Sequence, residues 1–279
     1  MNLPDLRSRL GAVVFERVAG AEGSARRDRI HRTPGPRWFT PDRPIRRVHG
    51  DASMFVGGLS ALLLQSLHPL AMAGVAGHSG YRGDPWGRLQ RTSYFLAVTT
   101  FGTADDAAET IAHIRSVHER VRGRAADGRP YAATDPHLLR WVHVAEVHSF
   151  LLAHQRYGAV PLDAAGADGY VRDTARVARE IGVVDPPESE AELAAQLDAF
   201  RPELAGTSEA RATARFLLLH PPLPLAARAP YALLGAAAVG LLPRWTRGPL
   251  RLPDLPGLDR TVVTLAGRGV TAGIRWAMS

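Results

Sequence analysis

The 279-residue chain has no cysteine. That excludes a thiolate-ligated haem, an iron–sulfur cluster, a Cys-bearing zinc site and a c-type haem attachment. Any metal site must therefore be built from imidazole, carboxylate or both. Long apolar runs are also lacking. The longest, 231–242, lies between Pro230 and Pro243 and falls short of the roughly 20 residues a helix needs to cross a bilayer. In the N-terminal stretch Asp5, Arg7, Arg9, Glu16 and Arg17 interrupt the apolar residues, so no secretory signal is read there. These two absences predict no transmembrane span and a cytoplasmic location. Period-two strand patterns, internal repeats, Gly-rich phosphate loops and the Gly-x-Ser-x-Gly elbow are missing as well.

Basic charge and histidine are abundant. The net charge is +7, and all of the basic residues other than histidine are Arg. The arginines are dispersed and no nucleic-acid-binding motif accompanies them, so nucleic acid is excluded as a partner. Attraction to an anionic membrane surface, as a peripheral contact, stays open. Eight of the eleven histidines fall between His68 and His154. Histidine is the commonest metal ligand, and such density on apolar, helix-like segments points to iron or another metal.

The pattern predicts an all-α chain. Residues 1–50 read as an N-terminal helix followed by an irregular Arg/Pro-rich arm, and 51–279 as one helical domain. Asp51 is expected to cap a helix over 52–76, disturbed at His68-Pro69 because proline lacks an N–H. Asp84-Pro85 and Asp135-Pro136 read as cap-and-proline starts of helices to about Phe101 and Tyr157. Thr103 with Asp106 resembles a capping box for a helix over 104–122. Further helices are expected at about 162–182, 188–201, 208–219, 225–241 and 258–277.

Three clusters carry candidate chemistry. His118 lies three residues after Arg115 and four before Arg122, so a continuous helix puts all three on one face. An imidazole between guanidiniums suits an anionic cofactor; a histidine beside solvated arginines is the plainer reading. Arg88, Arg91 and Thr92 share a face at i, i+3 and i+4, which fits a ligand pocket or a wet polar face. His143, among Trp141, Val142 and Val144, has Glu146 three residues on, and His154 returns to nearly the same face. No Glu-x-x-His pair exists, so a di-iron carboxylate bundle is not encoded. No His-Glu-x-x-His zinc motif exists either.

In order along the chain stand His68-Pro69, Gly74-Val75-Ala76-Gly77-His78-Ser79, Asp84-Pro85-Trp86-Gly87-Arg88-Leu89-x-Arg91-Thr92, Phe101-Gly102-Thr103, Val117-His118-x-x-Val121-Arg122-Gly123 and Tyr131-x-Ala133-x-Asp135-Pro136-x-Leu138-Leu139-x-Trp141-Val142-His143. This series resembles the MpaB and latex-clearing-protein family of oxygenases over roughly 45–250. The resemblance implies a globin-like helical fold with non-covalent haem b, and dioxygen as co-substrate for cleaving double bonds of isoprenoid chains. It implies His118 as the axial metal ligand, with Arg122 beside the cofactor; helix spacing adds Arg115 on the same face, and His143 is the alternative imidazole. Arg88, Arg91 and Thr92 are its catalytic candidates. Two positions depart from the pattern: Arg91 stands where rubber-cleaving members carry Lys, and Gly77 where many relatives carry Glu. The expected activity is a haem-dependent oxygenase acting on a small apolar substrate. The alternatives are a non-catalytic haem- or lipid-binding protein and a haem-free tailoring enzyme of the same fold.

Overall fold

The computed structural model describes residues 3–78, 83–254, 257 and 259–278; Ser79 of the sequence motif lies outside them. The chain is predominantly α-helical, and the described strands form one antiparallel hairpin, β1 (Arg122–Arg124) with β2 (Pro130–Ala132). The helices before it are α1 (Leu3–Ala19), α2 (Gly23–Arg32), α3 (Pro44–His49), α4 (Met54–Gln65), α5 (Pro69–His78), α6 (Pro85–Phe101) and α7 (Ala104–Arg120). After it come α8 (Pro136–Tyr157), α9 (Ala164–Ile181), α10 (Glu190–Phe200), α11 (Ser208–Leu219), α12 (Leu225–Leu241), α13 (Arg244–Leu250) and α14 (Thr264–Met278).

The centre is α4 packed along α8. Both are buried around most of their circumference, as the continuous apolar runs of their sequences require. Trp141 of α8 is fully buried, and its indole N–H donates to Gln65 O at the end of α4, 3.2 Å away. Truncating such a residue costs about 3–5 kcal/mol. Gly57 lets the pair close up: a Cβ there would lie 2.8 Å from Phe150 Cδ1 and 3.1 Å from the Ala153 Cβ. Around this pair sit α9 and α10 on one side and α12 on another, with α14 bridging α12 and α1.

The caps fall where the sequence puts them at Asp84, Thr103 and Asp135, and Asp163 adds a fourth that was not expected. Asp84 accepts from Gly87 N–H (2.8 Å), Thr103 from Asp106 N–H (3.1 Å), Asp135 from His137 N–H (2.9 Å) and Asp163 from Gly166 N–H (2.8 Å). Four expectations are corrected. One of these concerns only the bounds, because the break expected at His68-Pro69 is present: the stretch over 52–76 forms two helices, α4 and α5, bent by 108° there. Asp51 does not cap α4; its carboxylate pairs with Arg275 of α14 at 3.0 Å. The arm at 20–50 is not irregular, because it contains α2 and α3. Arg37 donates to Ile30 O and Thr33 O near the end of α2 and to Phe101 O at the end of α6. Such carbonyls lack helical partners and favour a cation. Asp173 of α9, almost fully buried, likewise accepts from Arg43 and from Ile45 N–H. Finally, α7 stops at Arg120, with Val121 extended, and the hairpin begins at Arg122.

Candidate functional site

The early end of α7 changes the expected face. Arg122 belongs to β1, not to the helix, so it does not share a helical face with Arg115 and His118. Its guanidinium reaches back to Glu119 O at 2.6 Å. Arg115 points to α9 and donates to Glu180 O at 3.1 Å. His118 stands between these two arginines in sequence and is half-buried. Desolvation holds its pKa below the ordinary imidazole value, so it is neutral near pH 7. Among the described residues neither ring nitrogen has a hydrogen-bond partner, and neither is among the sealed polar atoms that lack partners. An imidazole that is desolvated, neutral, unpartnered and still reachable is what an axial ligand requires.

His143 is different. Burial pushes its pKa down to about 4, and its Nε2 is sealed from solvent without a partner. Nothing of an iron's size fits in front of a walled-in nitrogen unless α8 shifts. One turn on, burial raises the carboxyl of Glu146 to about 7. Both residues keep part of their surface open although they lie deep in the bundle. His49 of α3 is held through both ring nitrogens: its Nδ1 pairs with Thr100 Oγ1 (2.8 Å), its Nε2 with the Tyr170 hydroxyl (3.2 Å), and burial holds its pKa at about 3. The Glu146 charge acts on Tyr170, which ties the two groups together. His154 does not join His143; it is buried, with Nε2 on Val160 O at 3.1 Å.

On α6, Arg88 is half-buried, whereas Arg91 and Thr92 are exposed. Arg91 pairs with the capping Asp84 at 3.3 Å. The chain has no lysine, so no side-chain amine replaces the one that rubber-cleaving relatives carry at this position. Gly77 has a local reason. A Cβ there would lie 3.0 Å from the Tyr131 hydroxyl, which pairs with His78 Nε2 at 3.2 Å. At Gly123 of β1 a Cβ would come within 2.6 Å of the same hydroxyl. Tyr131 thus occupies the space between α5 and the hairpin that a longer side chain at 77 would need.

The motif series and this helical arrangement meet in one comparison. Residues 46–276 match the family described as ER-bound oxygenase mpaB/B'/Rubber oxygenase, catalytic domain. The chain belongs to this family. The match takes in the whole central bundle from the end of α3 to nearly the end of α14. Two uncharacterized proteins, from Mycobacterium bovis and Mycobacterium tuberculosis, are each 33% identical to the chain over 108 residues. That stretch is 37% of this chain and 42% of each relative, so the chain covers under half the length of these curated relatives. No solved structure matches it.

Family membership supports an oxygenase, and so an oxidoreductase. His49, Tyr170 and Glu203 were not singled out from the sequence. The first two are brought together by helices far apart in the chain; their isolated letters carried no signal. Among the described residues no single helix is long and apolar enough to cross a membrane, although the bent pairs α4–α5 and α12–α13 reach the length and composition together.

Proposed function

We propose that the chain is a haem b-dependent oxygenase that uses dioxygen on a small apolar, unsaturated molecule of isoprenoid character. The observation that carries this reading is His118: a neutral, desolvated imidazole with no hydrogen-bond partner among the described residues and not sealed from solvent. His118 holds the iron. Haem, when bound, supplies the dioxygen chemistry, while the protein supplies the axial ligand, the positioning and the exclusion of water. Arg115 and Arg122 serve the two propionates. Each now bonds only a backbone carbonyl, and a carboxylate is the stronger acceptor for a guanidinium.

Arg88 and Thr92, one turn apart on α6, line the pocket, with Arg88 as cation and Thr92 as hydroxyl donor. Arg91 orients through hydrogen bonds alone, because a guanidinium does not deprotonate to bind iron. Glu146 supplies a carboxyl group that exchanges a proton near neutral pH. The apolar substrate is assigned to a channel partly lined by the Leu/Ala-rich segment 217–242.

The test is an absorbance spectrum of the chain supplied with haem, followed by oxygen uptake with isoprenoid compounds. A Soret band that His118→Ala abolishes supports the assignment. A wild-type band in His118→Ala that His143→Ala loses moves the ligand to α8. A Soret band shifted by apolar compounds without oxygen uptake leaves a haem- and lipid-binding protein. No band at all, in a well-folded chain, favours the haem-free enzyme.

A further inference from the structure

Away from His118, three side chains converge. His68 follows α4 and immediately precedes α5, His137 is in the first turn of α8, and Glu203 ends the 3-10 turn after α10. One ligand atom from each lies within 4.8 Å of the others. His137 Nε2 is 2.8 Å from Glu203 Oε2 and 2.9 Å from Oε1. His68 Nε2 is 3.4 Å from Glu203 Oε2. A first-row cation with bonds of about 2.0–2.1 Å and angles of about 90–110° sets its ligand atoms about 2.9–3.4 Å apart. The two carboxylate–imidazole edges are already close to that spacing.

A second observation points the same way. His68 is only 2% exposed, yet its Nε2 makes no well-aligned hydrogen bond and meets only the long 3.4 Å approach of Glu203 Oε2. Orphaned buried polar atoms are rare and call for a missing partner. This one is directed at the Glu203 carboxylate. The ring is held by aromatic neighbours, with Trp141 at 6.1 Å and Phe200 at 6.4 Å between centroids. Its Nδ1 receives only a long contact from Ala71 N–H, 3.5 Å. Loading a cation shifts the His68 proton from Nε2 to Nδ1 and gives up that contact, which is at the weak limit of hydrogen bonding. Arg129, whose charge reaches both His68 and Glu203, is itself paired with Asp127 at 2.7 Å.

We propose that His68, His137 and Glu203 form a second metal site, a two-histidine, one-carboxylate face for one first-row divalent cation of the Zn²⁺, Co²⁺ or Fe²⁺ class. His137 and Glu203 are half-exposed, so the remaining coordination positions open to water. The cation clips together three connections: the α4–α5 bend, the start of α8 and the turn after α10. Imidazole and carboxylate suit these metals, whereas Mg²⁺ and Ca²⁺ prefer all-oxygen shells.

The experiment is calorimetric titration of the full haem-free chain with Zn²⁺, paralleled by the visible spectrum with Co²⁺. One ion per chain is expected, with a rise in melting temperature. His137→Ala and Glu203→Gln, both outside the sealed core, should each weaken binding at least tenfold and leave the helical content unchanged. His113→Ala, at an exposed histidine outside the group, should bind as wild type. His118→Ala should also retain Zn²⁺, which separates this site from the haem reading. Binding that survives the His137/Glu203 double substitution, or falls equally with His113→Ala, overturns the proposal. So does an absence of binding at 100-fold molar excess.

Discussion

Two regions of the same bundle carry histidines in opposite conditions. At the end of α7, His118 is desolvated but reachable, and among the described residues its nitrogens have no hydrogen-bond partner. In the middle of α8, His143 and His148 have Nε2 atoms that are sealed and unpartnered. Both are neutral near pH 7 because burial lowers their pKa values. Neutrality alone therefore does not distinguish a ligand from a core residue. Access does: an imidazole can hold a metal only where space opens in front of its nitrogen. The α8 group instead borders a carboxyl, Glu146, whose charge is disfavoured by burial.

The largest expected effect separates the two regions by haem retention. His118→Ala should lose at least nine-tenths of the Soret absorbance per chain, while His143→Ala keeps most of it. Desalting after haem loading, followed by spectra of both variants, checks this. Equal losses would erase the distinction based on access.

The next effect concerns how α8 is held. Gly57 of α4 meets Phe150 and Ala153 with no room for a methyl group. Gly57→Ala should cost about 1–3 kcal/mol, the usual range for overpacking. Urea unfolding measures it. A neutral result would mean that α4 and α8 can slide apart, and then the sealing of His143 would not be fixed either.

Glu146 gives a pH test. Its folded pKa of about 7 lies above the ordinary 4.5. The native state therefore holds the proton more tightly than the unfolded state, and stability falls as pH rises from about 4.5 to about 7. His143 runs the other way, because its folded value of about 4 lies below the ordinary 6.5. It withdraws stability as pH falls from about 6.5 to about 4. Glu146→Gln should thus stabilise the haem-free chain at pH 8 by about 3 kcal/mol, with the gain vanishing near pH 4.5. A gain that does not depend on pH would show that the carboxyl is not desolvated.

Much of the fold was legible because its signals are local. Asp84-Pro85 and Asp135-Pro136 start helices through a side chain and a ring that act within one turn, and Thr103 does the same without proline. The arm over 20–50 was not legible. Arg37 and Arg43 order it through partners up to 130 residues away, and no periodicity records that. For the candidate site, the sequence singled out His118 and the His143–Glu146 pair as candidates, since spacing along one helix is readable. It misplaced Arg122, because the end of α7 is set by an extended Val121 and a hairpin rather than by Gly123. The joining of His68 and His137 with Glu203 was invisible, since three separate elements have to fold before the atoms meet.

The smallest effect tests the start of the helix that carries His118. Thr103 caps α7: its hydroxyl oxygen accepts from Asp106 N–H at 3.1 Å and its O–H donates to the Asp106 carboxylate at 2.8 Å. Asp106 in turn pairs with Arg29 of α2 at 2.7 Å. Removing the cap frees one N–H at the first turn, which costs about 1 kcal/mol. Thr103→Ala should lower stability by that amount. His118 lies at the opposite end of α7, some four turns away, where packing against α9 and the β hairpin holds the backbone. The Soret band of Thr103→Ala should therefore match wild type in position and intensity below its melting temperature. A changed band in a variant that is still folded would mean that the access of His118 depends on the register of the whole helix, not on the local ending at Val121.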